Sequence, residues 1–158
     1  MMAKVSEGDR APQFTLMDEK GNKVAIKDFK GDKVVVLYFY PKDMTSGCTA
    51  EAQAFRDVKG RFSRVGAVIL GVSPDSAESH QAFCKKNKLN FPLLVDEGHK
   101  VASTYGVWKR KSMYGKTYYG IERTTFVIGK SGKVAKVFPK VKVEGHADEV
   151  LDAVKALA

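Results

Sequence analysis

The chain predicts an α/β fold: a mixed central β-sheet flanked by helices on both faces, with a β-hairpin at the N-terminal end. Three observations lead there. Two apolar runs, VVVLYFY over 34–40 and AVILGV over 67–72, are β-branched and aromatic enough to be strands buried on both faces. Each is followed by a segment with apolar residues at helical spacing, and that alternation calls for parallel crossovers. Turn sequences near both ends set off short paired strands, which add antiparallel edges.

In chain order, Phe14 to Asp18 and Lys23 to Phe29 flank Glu-Lys-Gly-Asn and read as the first hairpin, ended by Gly31-Asp32. The strand Lys33 to Tyr40 is closed by Pro41, which cannot donate to a ladder. A helix beginning near Ser46 or Gly47 buries Ala50, Ala54, Phe55, Val58 and Phe62 and turns Arg56, Lys59 and Arg61 outward. After the strand Ala67 to Val72, Ser73-Pro-Asp-Ser supplies caps for a helix through Ala82 and Phe83 toward Lys88. Phe91 to Asp96 is a third strand and Lys100 to Tyr105 a short helix. Thr124 to Ile128 and Lys133 to Phe138, joined by Gly129-Lys-Ser-Gly, form a second hairpin, and Asp148 to Leu157 is the last helix. No element is assigned between 106 and 123.

Composition narrows the classes. With 158 residues, 44% of them hydrophobic, the chain can bury a core as one domain over 1–158, and disorder is excluded. The longest apolar run, Val34 to Tyr40, falls far short of the roughly 20 residues of a membrane span. The start has no apolar stretch of the kind a secretory leader carries, so a cytoplasmic protein is expected. Two cysteines do not staple a secreted fold, nor do they make a four-ligand zinc site. His80, Cys84, Cys48 and His99 lack metal-ligand spacing beyond the first pair, so no metal is expected. The net charge of +9 raises the question of an acidic or nucleic-acid partner.

Cys48 lies in YPKDMTSGCTAEAQAF, between the first buried strand and its helix. In a helical first turn, unpaired backbone N–H groups and the positive end of the macrodipole favour thiolate over thiol. The alternative is a small buried core residue, the usual fate of a free cysteine, but a Gly-Cys-Thr turn is a poor place for packing. Thr45 stands three residues earlier, at the interval of a Cys-x-x-Cys pair but with a hydroxyl. A redox dithiol is therefore excluded at this position.

Pro41, Thr45 and Cys48 spell P-x-x-x-T-x-x-C, and the string FYPKDMTSGCTAEAQAFRD resembles the peroxiredoxins of the PrxQ or bacterioferritin comigratory protein subfamily. The resemblance runs from GDRAPQFTLMDEKG through GIERTTFVIGKSGKV and implies a thioredoxin-like fold, in keeping with the element order. It implies that Cys48 attacks a peroxide and becomes a sulfenic acid, with no cofactor. Thr45, the Cys48 N–H and Arg123 would hold the peroxide, and Glu51 could anchor Arg123. Most of the subfamily has proline where this chain has Ser46; a serine should loosen the turn and can cap the helix, with no expected loss of activity. Where many members carry a second cysteine, five residues after the first, this chain has Gln53. In another variant that cysteine sits on the later helix, which matches Cys84 in SAESHQAFCKKNK. The implied cycle is a Cys48–Cys84 disulfide reduced by thioredoxin or a similar dithiol. Forming it should require unwinding around Cys48, around Cys84, or both, and the polar Lys85 to Lys88 run suggests a frayed helix end. A monomer is expected, with a dimer left open.

The competing reading is a basic module that binds nucleic acid or another anion. From Lys109 to Lys142 there are ten basic residues and one acidic, Glu122, which accounts for the whole net charge of +9. Trp108, Tyr114, Tyr118 and Tyr119 are interleaved there and could stack on bases. No nucleic-acid fold signature accompanies them, so nucleic acid is not the expected partner. A milder version is a basic face that steers an acidic reductant.

Overall fold

The computed structural model describes residues 5–157; the outermost residues of the 1–158 domain span lie outside the described residues. Its central strand, β3 (Val34–Phe39), is buried along its whole length. It is flanked by β4 (Ala67–Ser73) and then β5 (Leu93–Val95), all three parallel. Antiparallel strands complete the sheet: β1 (Thr15–Asp18) and β2 (Lys23–Ala25) beyond β5, β8 (Thr124–Ile128) and β9 (Val134–Phe138) beyond β3. The order is β2-β1-β5-β4-β3-β8-β9. Helices α1 (Ser46–Arg64), α2 (Ala77–Asn87), α3 (Lys100–Thr104) and α4 (His146–Lys155) connect and cover it.

Alternation along β3 builds two cores. Val34, Val36 and Tyr38 pack with Phe55 and Phe62 of α1, Phe83 of α2 and Val150 of α4. Val35, Leu37 and Phe39 face the other layer, with Val101, Tyr105 and Phe126. Gly71 in β4 is required by that packing, since a Cβ there would meet the Tyr38 ring at 2.9 Å and Leu93 at 2.8 Å. None of the described helices is long and apolar enough to cross a membrane.

Three elements differ from the sequence expectation. The Lys23 to Phe29 strand stops at Ala25, because the Asp28 carboxylate accepts the Ala25 N–H and folds Ile26–Phe29 into a 3₁₀ turn. The third strand shrinks to Leu93–Val95: Pro92 has no N–H to pair, and Asp96 is drawn off to accept from Val101 and Ala102 at the start of α3. The unassigned stretch forms a separate two-stranded hairpin, β6 (Trp108–Met113) and β7 (Lys116–Ile121). Its strands WKRKSM and KTYYGI offer no continuous apolar face, so the period-2 signal was missing.

Candidate active site

The site lies at the carboxyl end of β3, where the chain leaves the sheet and starts α1. Pro41 ends the strand, and Met44 takes a left-handed conformation (φ 69°) that turns the chain into the helix. Thr45 is the N-cap residue, but its hydroxyl donates back to the Lys42 carbonyl at 2.9 Å and so does not cap. Ser46 does not cap either; it is the first helical residue, where the N–H has no helical acceptor and proline would be equally at home. The first backbone bond into the helix is Thr49 N–H to the Thr45 carbonyl, leaving the Cys48 N–H free of any partner among the described residues. Cys48 is 1% exposed, in the first turn of α1.

Arg123 reaches the same place through strand register. β8 runs antiparallel to β3 with Thr124 opposite Phe39, so the residue before Thr124 emerges where β3 ends. Its Nη2 donates to the Cys48 sulfur at 3.4 Å and its Nη1 to Glu51 Oε1 at 2.6 Å. Glu51 follows Cys48 by three positions on α1 and is 1% exposed. Burial pushes the Glu51 carboxyl up to about 7, with Arg123 pulling the other way, while Oε2 has no hydrogen-bond partner among the described residues. Burial also opposes the Arg123 charge, but Glu51 and Cys48 outweigh it and hold the guanidinium protonated. A Cβ on Gly47 would stand 3.1 Å from Arg123 Nη2, tight enough that the guanidinium would have to shift by a few tenths of an ångström from its place by the sulfur.

The geometry thus brings Cys48, Arg123 and Glu51 together at the helix start, with Pro41 ending the strand beneath them. It leaves the Thr45 hydroxyl bonded to Lys42 rather than to the sulfur. Cys84 is on α2, a free thiol like Cys48, half-buried and packed against the same core layer. Burial, with Glu19 and Asp43 adding to it, pushes the Cys84 thiol up to about 12. It lines an open cleft of about 650 Å³ shared with Glu19, Gln81 and Phe91.

The expected fraying after Cys84 does not occur. Lys88 closes α2 in the left-handed conformation, and its N–H bonds the Cys84 and Lys85 carbonyls. Asn87 is buried and accepts from Gln53 at 3.0 Å, and its carbonyl accepts from Arg56 at 2.8 Å. A polar sequence was therefore a tie to α1 and not a loose end.

Other functional candidates had weak or no sequence signals. The Tyr38 hydroxyl is buried without a partner among the described residues, in the field of Glu51, Cys48 and Cys84; Gly71, alone in a β-branched strand, was its only trace. Lys111 of β6 donates to the Ile121 carbonyl; partial burial, then Arg123, disfavours its charge. Of the histidines weighed as ligands, His99 stacks on Trp108 at 3.7 Å and His80 lies between Asp43 and the Leu94 carbonyl. Asp43, Asp75 and His80 converge among the described residues, but internal hydrogen bonds already join them.

Comparison with known proteins gives these features a context. The AhpC/TSA family profile matches residues 7–137. The peroxiredoxin Bcp of Bacillus subtilis is 50% identical over 151 residues, covering 96% of each chain. A Xanthomonas campestris bacterioferritin comigratory protein, solved to examine its alkyl peroxide reduction activity, is 43% identical with a TM-score of 0.86 over 90% of each chain. A PrxQ mutant from Xylella fastidiosa superposes with a TM-score of 0.92 at 37% identity over 98% of each chain.

Proposed function

The chain belongs to the AhpC/TSA family as a peroxiredoxin, a thiol peroxidase, and on that footing we propose that it reduces hydrogen peroxide and organic hydroperoxides through Cys48. The observation that carries the reading is the Arg123 guanidinium shared between the Cys48 sulfur at 3.4 Å and Glu51 at 2.6 Å. A fixed cation beside the sulfur favours the thiolate, and its remaining donors can meet a peroxide oxygen. The thiolate attacks one oxygen, the S–O bond forms as O–O breaks, and the departing alkoxide or hydroxide takes up a proton. Thr45 assists when its hydroxyl turns from the Lys42 carbonyl toward the peroxide, with the free Cys48 N–H as a further donor. Pro41 shapes the entry to the turn.

Cys84 then resolves the sulfenic acid: its sulfur bonds to that of Cys48, and the sulfenic hydroxyl leaves as water with the Cys84 proton. A thioredoxin-type dithiol reduces the disulfide by exchange, passing two electrons and two protons to Cys48 and Cys84 and becoming a disulfide itself. The protein acts as a single cytoplasmic domain over 1–158, monomeric, without cofactor or metal. The relative named peroxiredoxin Bcp, and the alkyl peroxide reduction activity attributed to the Xanthomonas campestris protein, support the first step most directly. The anion-binding alternative draws less support, because Lys130 and Lys133 lie at the far end of β8 from the hairpin lysines.

The test is peroxide-dependent turnover with a thioredoxin system. Cys48→Ser should be inactive. Cys84→Ser should consume about one equivalent of peroxide and then stall unless a small thiol is added. Full thioredoxin-linked turnover by Cys84→Ser would remove Cys84 from the cycle.

A further inference from the structure

A buried polar network, separate from the peroxide site, joins the two cysteine-bearing segments. Asp43, 4% exposed, lies in the loop five residues before Cys48. Its carboxylate accepts from the Tyr40 hydroxyl at 2.6 Å, from Ser79 Oγ at 2.8 Å and from His80 Nδ1 at 2.7 Å. Its own N–H donates to Asp75 at 2.8 Å. His80 is fully buried, one helical turn before Cys84 on α2, and its Nε2 donates to the Leu94 carbonyl of β5 at 2.9 Å. Burial opposes a charge on His80, but the hydrogen bond and charge of Asp43 outweigh it and favour the imidazolium; with Asp43 as carboxylate, both ring nitrogens donate and the pair is His⁺–Asp⁻.

We propose that the Asp43–His80 pair is a positioning latch that holds the Cys48 turn against the Cys84 helix and sets how often the two sulfurs can meet. The proposal rests on the reading of Cys84 as the resolving thiol. A disulfide brings Cα atoms to within about 7 Å, and the two sulfurs lie on different helices, α1 and α2. The latch ties the loop that leads into the Cys48 turn to the first turns of α2, and ties α2 in turn to β5. Opening it strands two buried charges, which is far more unfavourable than breaking a surface pair. The closed state also keeps Cys84 half-buried and protonated, a poor nucleophile until α2 shifts. None of the latch groups is hydrogen-bonded to the Cys48 sulfur or Arg123, so its effect falls on the fate of the sulfenic acid: condensation with Cys84, or further oxidation to sulfinic acid.

The test uses the full-length protein with Asp43→Asn and His80→Gln, and Val154→Ala in α4 as a control for general loss of stability. Hydrogen exchange of the reduced protein should show 41–50 and 77–87 opening together, with one shared opening free energy in the wild type. Both segments should exchange faster in the latch variants and not selectively in Val154→Ala. After one peroxide pulse, disulfide should form about tenfold faster in the latch variants, a factor equivalent to about 1.4 kcal/mol of closed-state stability, and the sulfinic share should fall. Independent opening of the two segments in the wild type overturns the latch, and so does a disulfide-to-sulfinic ratio no different from that of Val154→Ala. If the wild type forms no Cys48–Cys84 disulfide but the segments still open together, the latch stands and the resolving role of Cys84 falls. The wild-type exchange measurement decides the matter even if a variant fails to fold.

Discussion

The two sulfurs share one core layer but sit in opposite environments. Cys48 is 1% exposed, in the first turn of a helix, with a guanidinium against it and a backbone N–H that has no partner among the described residues. Cys84 is in the last turn of a helix beside an open cleft, with no cation bonded to it among the described residues and acidic neighbours that add to burial in keeping its proton on. The more buried sulfur is thus the one with a fixed cation against it, a group that can also meet a peroxide oxygen. In the proposed cycle the pairing also separates two tasks, with attack made ready in the resting fold and resolution waiting for movement.

The largest effect expected from this contrast is at Arg123. Arg123→Ala should slow peroxide oxidation of Cys48 by about 10²–10³-fold, the usual loss when a fixed donor at a developing charge is removed. Arg123→Lys should recover little of it, since one ammonium cannot serve both Cys48 and Glu51 in the fork geometry. Stopped-flow oxidation of the reduced protein measures this without involving Cys84. A loss of only a few-fold would mean the helix start alone distinguishes Cys48 from Cys84.

A smaller effect, about tenfold, is expected at Glu51, and it should depend on pH. The Glu51 carboxyl titrates at about 7, raised by burial. Below that value it is neutral and resembles glutamine; above it the carboxylate holds Arg123 in place. The ratio of wild-type to Glu51→Gln oxidation rates should therefore approach one in acid and climb as pH rises through about 7. Stability has the opposite sign: the folded state keeps the Glu51 proton above the ordinary carboxylate value of 4.5, so stability relative to Glu51→Gln declines from there to about 7. Equal ratios across this range would show that Glu51 does not anchor the guanidinium.

The readable parts of the molecule are those encoded locally. The β3 run of Val34 to Phe39 is buried on both faces, and an unbroken apolar strand has few other meanings. The start of α1 was legible to within a residue because Gly47 and Cys48 follow a proline-ended strand. Arg123 was found only through the family motif, because its position depends on which β8 residue pairs with Phe39, a register that a lone sequence does not state. The Asp43–His80 pair was illegible for the same reason: its partners are 37 residues apart, and each is unremarkable alone. The β6–β7 hairpin was missed because its lysines and exposed tyrosines erase the alternation that marks a strand.

That hairpin supplies the smallest expected effect, and one that separates the two halves of the cycle. Lys109, Arg110, Lys111 and Lys116 lie on it beside the exposed Tyr118 and Tyr119, and β7 leads directly into Arg123. A neutral peroxide gains little from such a field, whereas an acidic protein dithiol is drawn in by it. Oxidation of Cys48 should accordingly be nearly flat between low salt and about 0.5 M, while reduction of the disulfide by an acidic thioredoxin should slow several-fold as screening shortens the field's reach to a few ångströms. Reversing two charges, Lys109→Glu with Lys116→Glu, should abolish the salt slope of the second step alone, because both side chains are exposed and project from the hairpin face that carries Lys111. A salt response that appeared equally in both steps would place the effect at the Cys48–Arg123 pair, and the hairpin would lose its claim as the reductant's approach.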